Sequence, residues 1–155
     1  MKRLVKIFSL VALVLAFSIP SVKAERVYKP VSDMPAQVQT FLNDYYPNEK
    51  VSKSWWKMMR ATTQPMWYRV NLENGTKIWF DLQGNWYQID AKKGKTPVSV
   101  DLLPNDARTV IADNYKGQTV KSIKFKKDSY KVKLSNGTEL KFDKTYGLKW
   151  KKDKK

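Results

Sequence analysis

One fourteen-residue stretch occurs twice in this sequence, and the repeat constrains the fold more than any other feature. The first copy is Tyr68–Asp81 (YRVNLENGTKIWFD) and the second is Tyr130–Asp143 (YKVKLSNGTELKFD), with eight identical positions. In both copies apolar and polar residues alternate on either side of an Asn-Gly pair, which is the pattern of a half-buried β-hairpin. The sequence therefore predicts two copies of one sheet unit.

The length of the hairpin loop decides which face of each hairpin is apolar. A two-residue Asn-Gly turn would place Leu72 opposite Lys77 and mix apolar with polar residues on both faces. A three-residue loop at 73–75, with its glycine in the left-handed conformation, instead pairs Val70 with Ile78 and keeps one face apolar. The opposite, outward face then carries Trp67, Arg69, Asn71, Lys77, Trp79 and Asp81 in the first copy, and Lys131, Lys133, Glu139, Lys141 and Asp143 in the second.

An amphipathic helix led by proline is predicted before each hairpin. Its residues are Pro35, Val38, Phe41, Leu42 and Tyr45 in the first unit, and Pro104, Ala107, Val110, Ile111 and Tyr115 in the second. A strand before each hairpin (50–59 and 119–126) and one after it (85–89 and 148–150) complete the unit. The predicted fold class is α+β, with two tandem repeats, each a helix packed on a four-stranded antiparallel sheet.

The N-terminal residues have the features of a secretory signal peptide. Three basic residues precede an apolar run, and the segment closes with Val22-Lys23-Ala24, so cleavage is expected after Ala24. We therefore expect an exported protein, periplasmic or secreted. The predicted organisation is residues 1–24 as signal peptide, 25–90 as the first repeat, 91–101 as a linker, and 102–155 as the second repeat with a basic tail.

Three further expectations concern the connecting segments. Residues 25–32 are expected to form an extended lead-in, and residues 60–65 a longer loop that the second unit lacks. The basic tail is expected to fray after Trp150.

Composition restricts the possible functions. The chain has 30 Lys and Arg against 14 Asp and Glu, and the predicted mature protein keeps a net charge of +12. Such a charge favours anionic partners, although a merely solvated lysine surface would have the same composition. The sequence contains neither Cys nor His, which removes disulfides, thiol and histidine-dependent catalysis and most zinc sites. We therefore predict no enzyme activity, no cofactor and no metal.

The repeated helix, the Tyr-x-Val-x-Leu-x-Asn-Gly-Thr hairpin and the stretch Phe80–Trp86 (FDLQGNW) together resemble the PepSY-like family of exported bacterial proteins. That family is similar in architecture to the β-lactamase inhibitory protein. The resemblance covers Met34–Trp150 and implies one curved sheet with helices on one face and the other face free to dock a partner. Without Cys this chain lacks that inhibitor's disulfides, and no lactamase-contacting residue aligns with a position here, so lactamase inhibition does not carry over.

The outward face supplies the candidate partner-binding residues. Trp67 and Trp79 share it, and Arg69 lies opposite Trp79 within cation–π range. Large aromatic residues beside arginine are typical of binding hot spots. Alternatively, the tryptophans pack under the longer loop or against the other repeat. The sequence leaves open the facing of Trp55, Trp56, Trp86 and Trp150.

These observations predict a non-enzymatic binding protein that engages an unidentified envelope protein, as an inhibitor or a sensor. The alternative is salt-dependent binding of an anionic glycan, lipid or other polyanion through the basic sheet face. No nucleic-acid-binding motif is present, so specific nucleic-acid binding is not expected. The identity of the partner and the oligomeric state stay open. The candidate binding residues are Trp67, Arg69, Lys77, Trp79, Lys131, Lys133 and Lys141.

Overall fold

The computed structural model of the protein describes residues 26–58, 65–92, 94–143 and 147–152. The predicted signal peptide and its cleavage site lie outside the described residues, as does the predicted loop at 60–65 except for Pro65. No helix in the described ranges is long and apolar enough to span a membrane.

The described residues form two α-helices, nine β-strands and two short 3-10 turns. The helices are α1 (Ala36–Tyr45) and α2 (Asn105–Asn114), and the 3-10 turns are Val31–Asp33 and Val100–Leu102. The strands are β1 (Arg26–Tyr28), β2 (Val51–Met58), β3 (Pro65–Leu72), β4 (Lys77–Phe80), β5 (Trp86–Asp90), β6 (Val120–Lys126), β7 (Ser129–Leu134), β8 (Glu139–Asp143) and β9 (Leu148–Lys152).

All nine strands belong to one open, curved antiparallel sheet in the order in which they occur along the chain. The α+β class and the continuous sheet are confirmed. Part of the lead-in that was predicted to be extended forms a ninth strand, β1, which the sequence did not predict; it lies beside β2 and pairs Val27 with Trp56. The lead-in is held further by Lys29, whose N–H donates to the Ser54 carbonyl at 3.2 Å and whose carbonyl accepts from the Ser54 hydroxyl.

Both hairpins have the register that a three-residue loop produces. Val70 pairs with Ile78, and Val132 pairs with Leu140. In the first loop the N–H of Gly75 donates to the Leu72 carbonyl at 3.0 Å, and Gly75 has φ +87°. A positive φ is costly for any residue with a Cβ, so glycine fits this position. The apolar and polar faces of the sheet are therefore those that the sequence predicts.

The inward residues of the hairpins form one core with the two helices. All ten predicted positions are buried: Tyr68, Val70, Leu72, Ile78, Phe80, Tyr130, Val132, Leu134, Leu140 and Phe142. From α1, Phe41 meets Phe80 edge-on at 5.6 Å between ring centroids. Trp86 also faces inward and contacts Phe41 at 6.0 Å and Phe125 at 4.8 Å, so it links the two halves.

Two predictions are wrong: the place of Tyr45 in the apolar stripe of α1, and the fraying of the tail after Trp150. Tyr45 is 40% exposed and the following residue, Tyr46, is buried instead, because α1 ends at Tyr45 and the chain leaves helical geometry at Tyr46. The tail does not fray after Trp150, since β9 continues to Lys152, which pairs with Glu139. Within the segment 91–101, Val98 is buried and bridges Val120.

Candidate functional site: the outward sheet face

A continuous row of side chains crosses the outward face of the sheet, with one residue from each strand directly opposite the next. We call it the outward row; its members are Tyr28, Trp55, Arg69, Trp79, Gln88, Lys124, Lys131, Lys141 and Trp150. Neighbouring strands lie about 4.8 Å apart, so directly opposite residues are in lateral reach of each other. Because both helices pack on the inward residues, they leave this row uncovered.

The first half of the row forms an aromatic–arginine cluster of Tyr28, Trp55, Arg69 and Trp79. The Arg69 Cζ lies 4.7 Å from the ring centroid of Trp55 and 4.5 Å from that of Trp79, so the guanidinium is held between two indoles. Tyr28 meets Trp55 edge-on at 6.1 Å, and Trp55 is only 6% exposed. Each cation–π contact contributes about 0.5–1 kcal/mol when exposed and more when desolvated, so the two contacts together favour this orientation of Arg69.

Arg69 has hydrogen-bond donors that the described residues do not use. Its Nε donates to Asn71 Oδ1 at 3.1 Å, and no acceptor in the described part of the chain meets its terminal nitrogens. Burial lowers the pKa of Arg69, repulsion from Arg26 lowers it further, and Asp90 raises it. An arginine nevertheless stays charged at any physiological pH. The cluster therefore presents an ordered cation whose two terminal nitrogens can bind a carboxylate in a bidentate manner.

A depression of about 570 Å³ lies beside this arginine. It is lined by Arg69, Gly75, Lys77, Trp79, Asp90, Ala91 and Lys92. The structure thus brings together three of the predicted binding residues, Arg69, Lys77 and Trp79. Trp67 lies apart from them, opposite Lys57, whose Nζ is 5.7 Å from the Trp67 ring centroid.

The second half of the outward face is basic. Lys131 and Lys133 both contact Glu139, the latter at 3.7 Å, and Lys141 has no ion-pair partner among the described residues. The hydrogen bond from Lys131 is the main cause that lowers the pKa of Glu139. Lys133 lies outside the outward row, in the neighbouring row between Ser122 and Glu139. The three predicted lysines are therefore close, but only Lys131 and Lys141 are direct neighbours across the strands.

Sequence reasoning missed several members of the row. Trp55 and Trp56 are adjacent, so one had to face outward, but only the pairing of Trp55 with Arg69 shows which. Tyr28 was missed because β1 was not predicted. Lys124 was available from the sequence, because it directly precedes Phe125 in a predicted strand and the two must face opposite ways. Phe125 packs against the core, and Lys124 lies outward, opposite Lys131.

The comparisons with known proteins agree with this architecture. Residues 66–149 match the model of a family described as "Putative beta-lactamase-inhibitor-like, PepSY-like". This chain belongs to the PepSY-like family. No curated protein matches the chain.

Solved structures of similar proteins share the fold of this PepSY-like chain. A "putative calcium-regulated periplasmic protein" from Bacteroides thetaiotaomicron is 31% identical, with a TM-score of 0.74, over 83% of this chain and 97% of that one. A "putative periplasmic protein from DUF2874 family" from Bacteroides vulgatus is 28% identical, with a TM-score of 0.74, over 83% and 98%. A second Bacteroides vulgatus protein of unknown function, 24% identical with a TM-score of 0.73 over 83% and 100%, shares the fold.

The first of these neighbours is described as calcium-regulated, and proteins bind calcium through several oxygen ligands. The described residues contain no group of three or more acidic side chains that could hold a metal ion. In the turn after β4, Asp81 Oδ1 accepts from the N–H groups of Gln83 (3.0 Å) and Asn85 (2.8 Å), and Oδ2 accepts from Asn85 Nδ2 (3.1 Å). Both oxygens already serve the turn, so Asp81 acts here as a structural residue.

Proposed function

We propose that this PepSY-like protein is an exported, non-enzymatic binding protein that engages a protein partner in the bacterial envelope, as an inhibitor or a sensor. The open outward face is its binding surface. The observation that carries the proposal is the aromatic–arginine cluster, in which Arg69 lies between Trp55 and Trp79 with its terminal nitrogens unused by the described residues.

The cluster has the composition and the order of a protein-binding hot spot. Tryptophan, tyrosine and arginine are the residues that most often dominate binding energy at protein interfaces. Because the two indoles already hold Arg69 in place, binding would cost little additional side-chain entropy. The neighbouring depression beside Trp79 could accept a side chain of the partner, and a partner carboxylate could pair with Arg69.

The proposal includes a tandem organisation of the scaffold and export of the mature chain. In each half an α-helix precedes four consecutive strands, and the hairpins have the same register, which supports two copies of one unit. Periplasmic relatives support export. N-terminal sequencing of the exported protein is expected to begin at Glu25, and a retained leader would contradict the cleavage that we propose.

Quantitative capture of partners from an envelope extract tests the binding proposal. We expect at least one protein to be recovered with the wild type and lost by about tenfold or more with the double variant Trp67→Ala/Trp79→Ala. The matched control is Gln39→Ala/Asn43→Ala on the exposed side of α1, which should recover the same protein as the wild type. Equal recovery of every protein by all three baits would contradict the proposed surface.

A single substitution separates charge from stacking at the same surface. Arg69→Lys keeps the positive charge but loses the flat guanidinium that lies between the two indoles. We expect it to weaken binding of the captured partner nearly as much as Arg69→Ala does. If Arg69→Lys instead binds like the wild type, the arrangement between Trp55 and Trp79 is irrelevant to the partner.

A further inference from the structure

A second depression lies on the outward face of the other half of the sheet, at its edge strand β9. Its volume is about 480 Å³, within the range of small-ligand sites. We call it the lysine–tryptophan cleft; it is lined by Lys126, Ser129, Lys131, Lys141, Lys149 and Trp150. No part of the aromatic–arginine cluster lines it.

The cleft has an excess of positive charge. Lys131 is paired with Glu139, and Lys149 lies 3.9 Å from Asp143. Lys126 and Lys141 have no ion-pair partner among the described residues. Four ammonium groups therefore face two carboxylates, and an anionic ligand would relieve the remaining repulsion between the lysines.

Trp150 supplies a flat apolar surface beside these charges. It is 44% exposed, although it belongs to a paired strand and lies directly opposite Lys141. No ring of another described aromatic residue contacts it. An ordered, exposed indole flanked by hydrogen-bond donors suits a ligand that has a flat ring face and acidic groups at its rim.

We infer that the lysine–tryptophan cleft binds an acidic polysaccharide, with one sugar ring stacked on Trp150 and the carboxylates of neighbouring rings paired with the lysines. Lys124, Lys131 and Lys141 lie on successive strands about 4.8 Å apart. A polyanion that crosses the strands therefore meets a cation at each one. Because β9 is the last strand of the sheet, the chain of sugars can continue past the edge.

The walls of the cleft favour a saccharide over an acidic protein segment. Apart from Trp150, the lining consists of lysines and Ser129. These residues offer hydrogen-bond donors but no apolar pocket for a side chain of a protein partner. Protein interfaces usually have an apolar centre surrounded by polar groups. A hydroxylated acidic ring needs donors and one flat face, and the cleft offers both.

Isothermal titration of the full mature protein with oligogalacturonate tests this inference. We expect binding that weakens steeply as salt rises, and no binding of neutral dextran. Trp150→Ala is expected to weaken binding about tenfold. The double variant Lys126→Gln/Lys141→Gln should weaken it further and make its salt dependence shallower. The matched control is Lys116→Gln, an exposed lysine in the turn after α2, which should bind like the wild type.

Other outcomes would overturn the inference. The inference is wrong if the protein does not bind oligogalacturonate. It is also wrong if Trp150→Ala binds with wild-type affinity, because binding would then depend only on general charge attraction. Equally tight binding of poly-glutamate would favour an acidic protein, and binding only to anionic vesicles would favour a membrane surface. Urea unfolding verifies that each variant is folded. If Trp150→Ala does not fold, the loss of binding in the lysine double variant tests the inference instead. Trp67→Ala/Trp79→Ala should leave this binding unchanged, so the inference does not depend on the proposed protein partner.

Discussion

The two halves of the sheet share their inward residues and differ in their outward ones. Inward, Tyr68, Val70, Leu72, Thr76 and Phe80 of the first hairpin correspond to identical residues in the second, which are Tyr130, Val132, Leu134, Thr138 and Phe142. All ten are buried. Outward, the row positions Trp55, Arg69, Trp79 and Gln88 of the first half correspond to Lys124, Lys131, Lys141 and Trp150 of the second.

The difference shows which positions the fold requires and which it leaves free. An inward residue must fill space between the sheet and a helix, and a change of one methylene group there is felt throughout the core. An outward residue has only lateral neighbours and solvent. The same scaffold therefore presents a cation held between aromatic rings in one half and a line of lysines in the other.

The largest expected effect tests whether the inward residues of the two halves are equivalent. Phe80→Ala and Phe142→Ala should each lower the free energy of unfolding by roughly 3–5 kcal/mol, because both rings are fully buried and leave a cavity. The outward controls Lys77→Ala and Lys141→Ala should change it by less than about 0.5 kcal/mol. Urea unfolding measures all four. A large loss from either lysine variant would mean that the outward face is covered.

A smaller effect should separate the outward residues of the two halves. Arg69→Ala removes two cation–π contacts and should cost about 1–2 kcal/mol of unfolding free energy. Lys131→Ala, at the corresponding position, removes a partly exposed ion pair and should cost less than about 1 kcal/mol. The same urea experiment gives both values. Equal costs would show that the stacking of Arg69 adds nothing to stability.

The smallest expected effect is a pH dependence confined to the second half. Because the pKa of Glu139 is lowered in the folded protein from its ordinary value of 4.5, the ion pair stabilises the fold above about pH 4.5. That contribution is lost as the pH falls through the lower folded pKa. Glu139→Gln should therefore reduce stability at pH 6 and lose this difference at low pH, as thermal unfolding will measure. A difference that persists at the lowest pH would rule out the carboxylate as its cause.

The sequence predicts the sheet well because the hairpin pattern is local. Alternation gives the buried set, and the requirement for one apolar face selects the three-residue loop that pairs Val70 with Ile78. Arg69 opposite Trp79 follows from the same register. These inferences need only the two-residue period of a strand and the left-handed preference of Gly75.

Other features depend on contacts between distant segments, and the sequence does not reveal them. The three residues of β1 carry too short a pattern to be recognised, yet their pairing with β2 adds Tyr28 to the outward row. The burial of Tyr46 in place of Tyr45 depends on the non-helical backbone of Tyr46 just after α1, which the helical period does not describe. The inward position of Trp86 follows from an irregularity between Trp79 and Phe80 in the pairing of β4 with β5.

The composition of β9 has a consequence for the growth of the sheet. An open sheet offers its last strand as a template for further strands, which is a common route to aggregation. Three of the five residues of β9 are lysines, Lys149, Lys151 and Lys152. A second molecule pairing its own β9 there would bring ammonium groups face to face across the new ladder, where like charges repel. The lysines of β9 therefore disfavour a dimer in which two copies join their sheets through this strand.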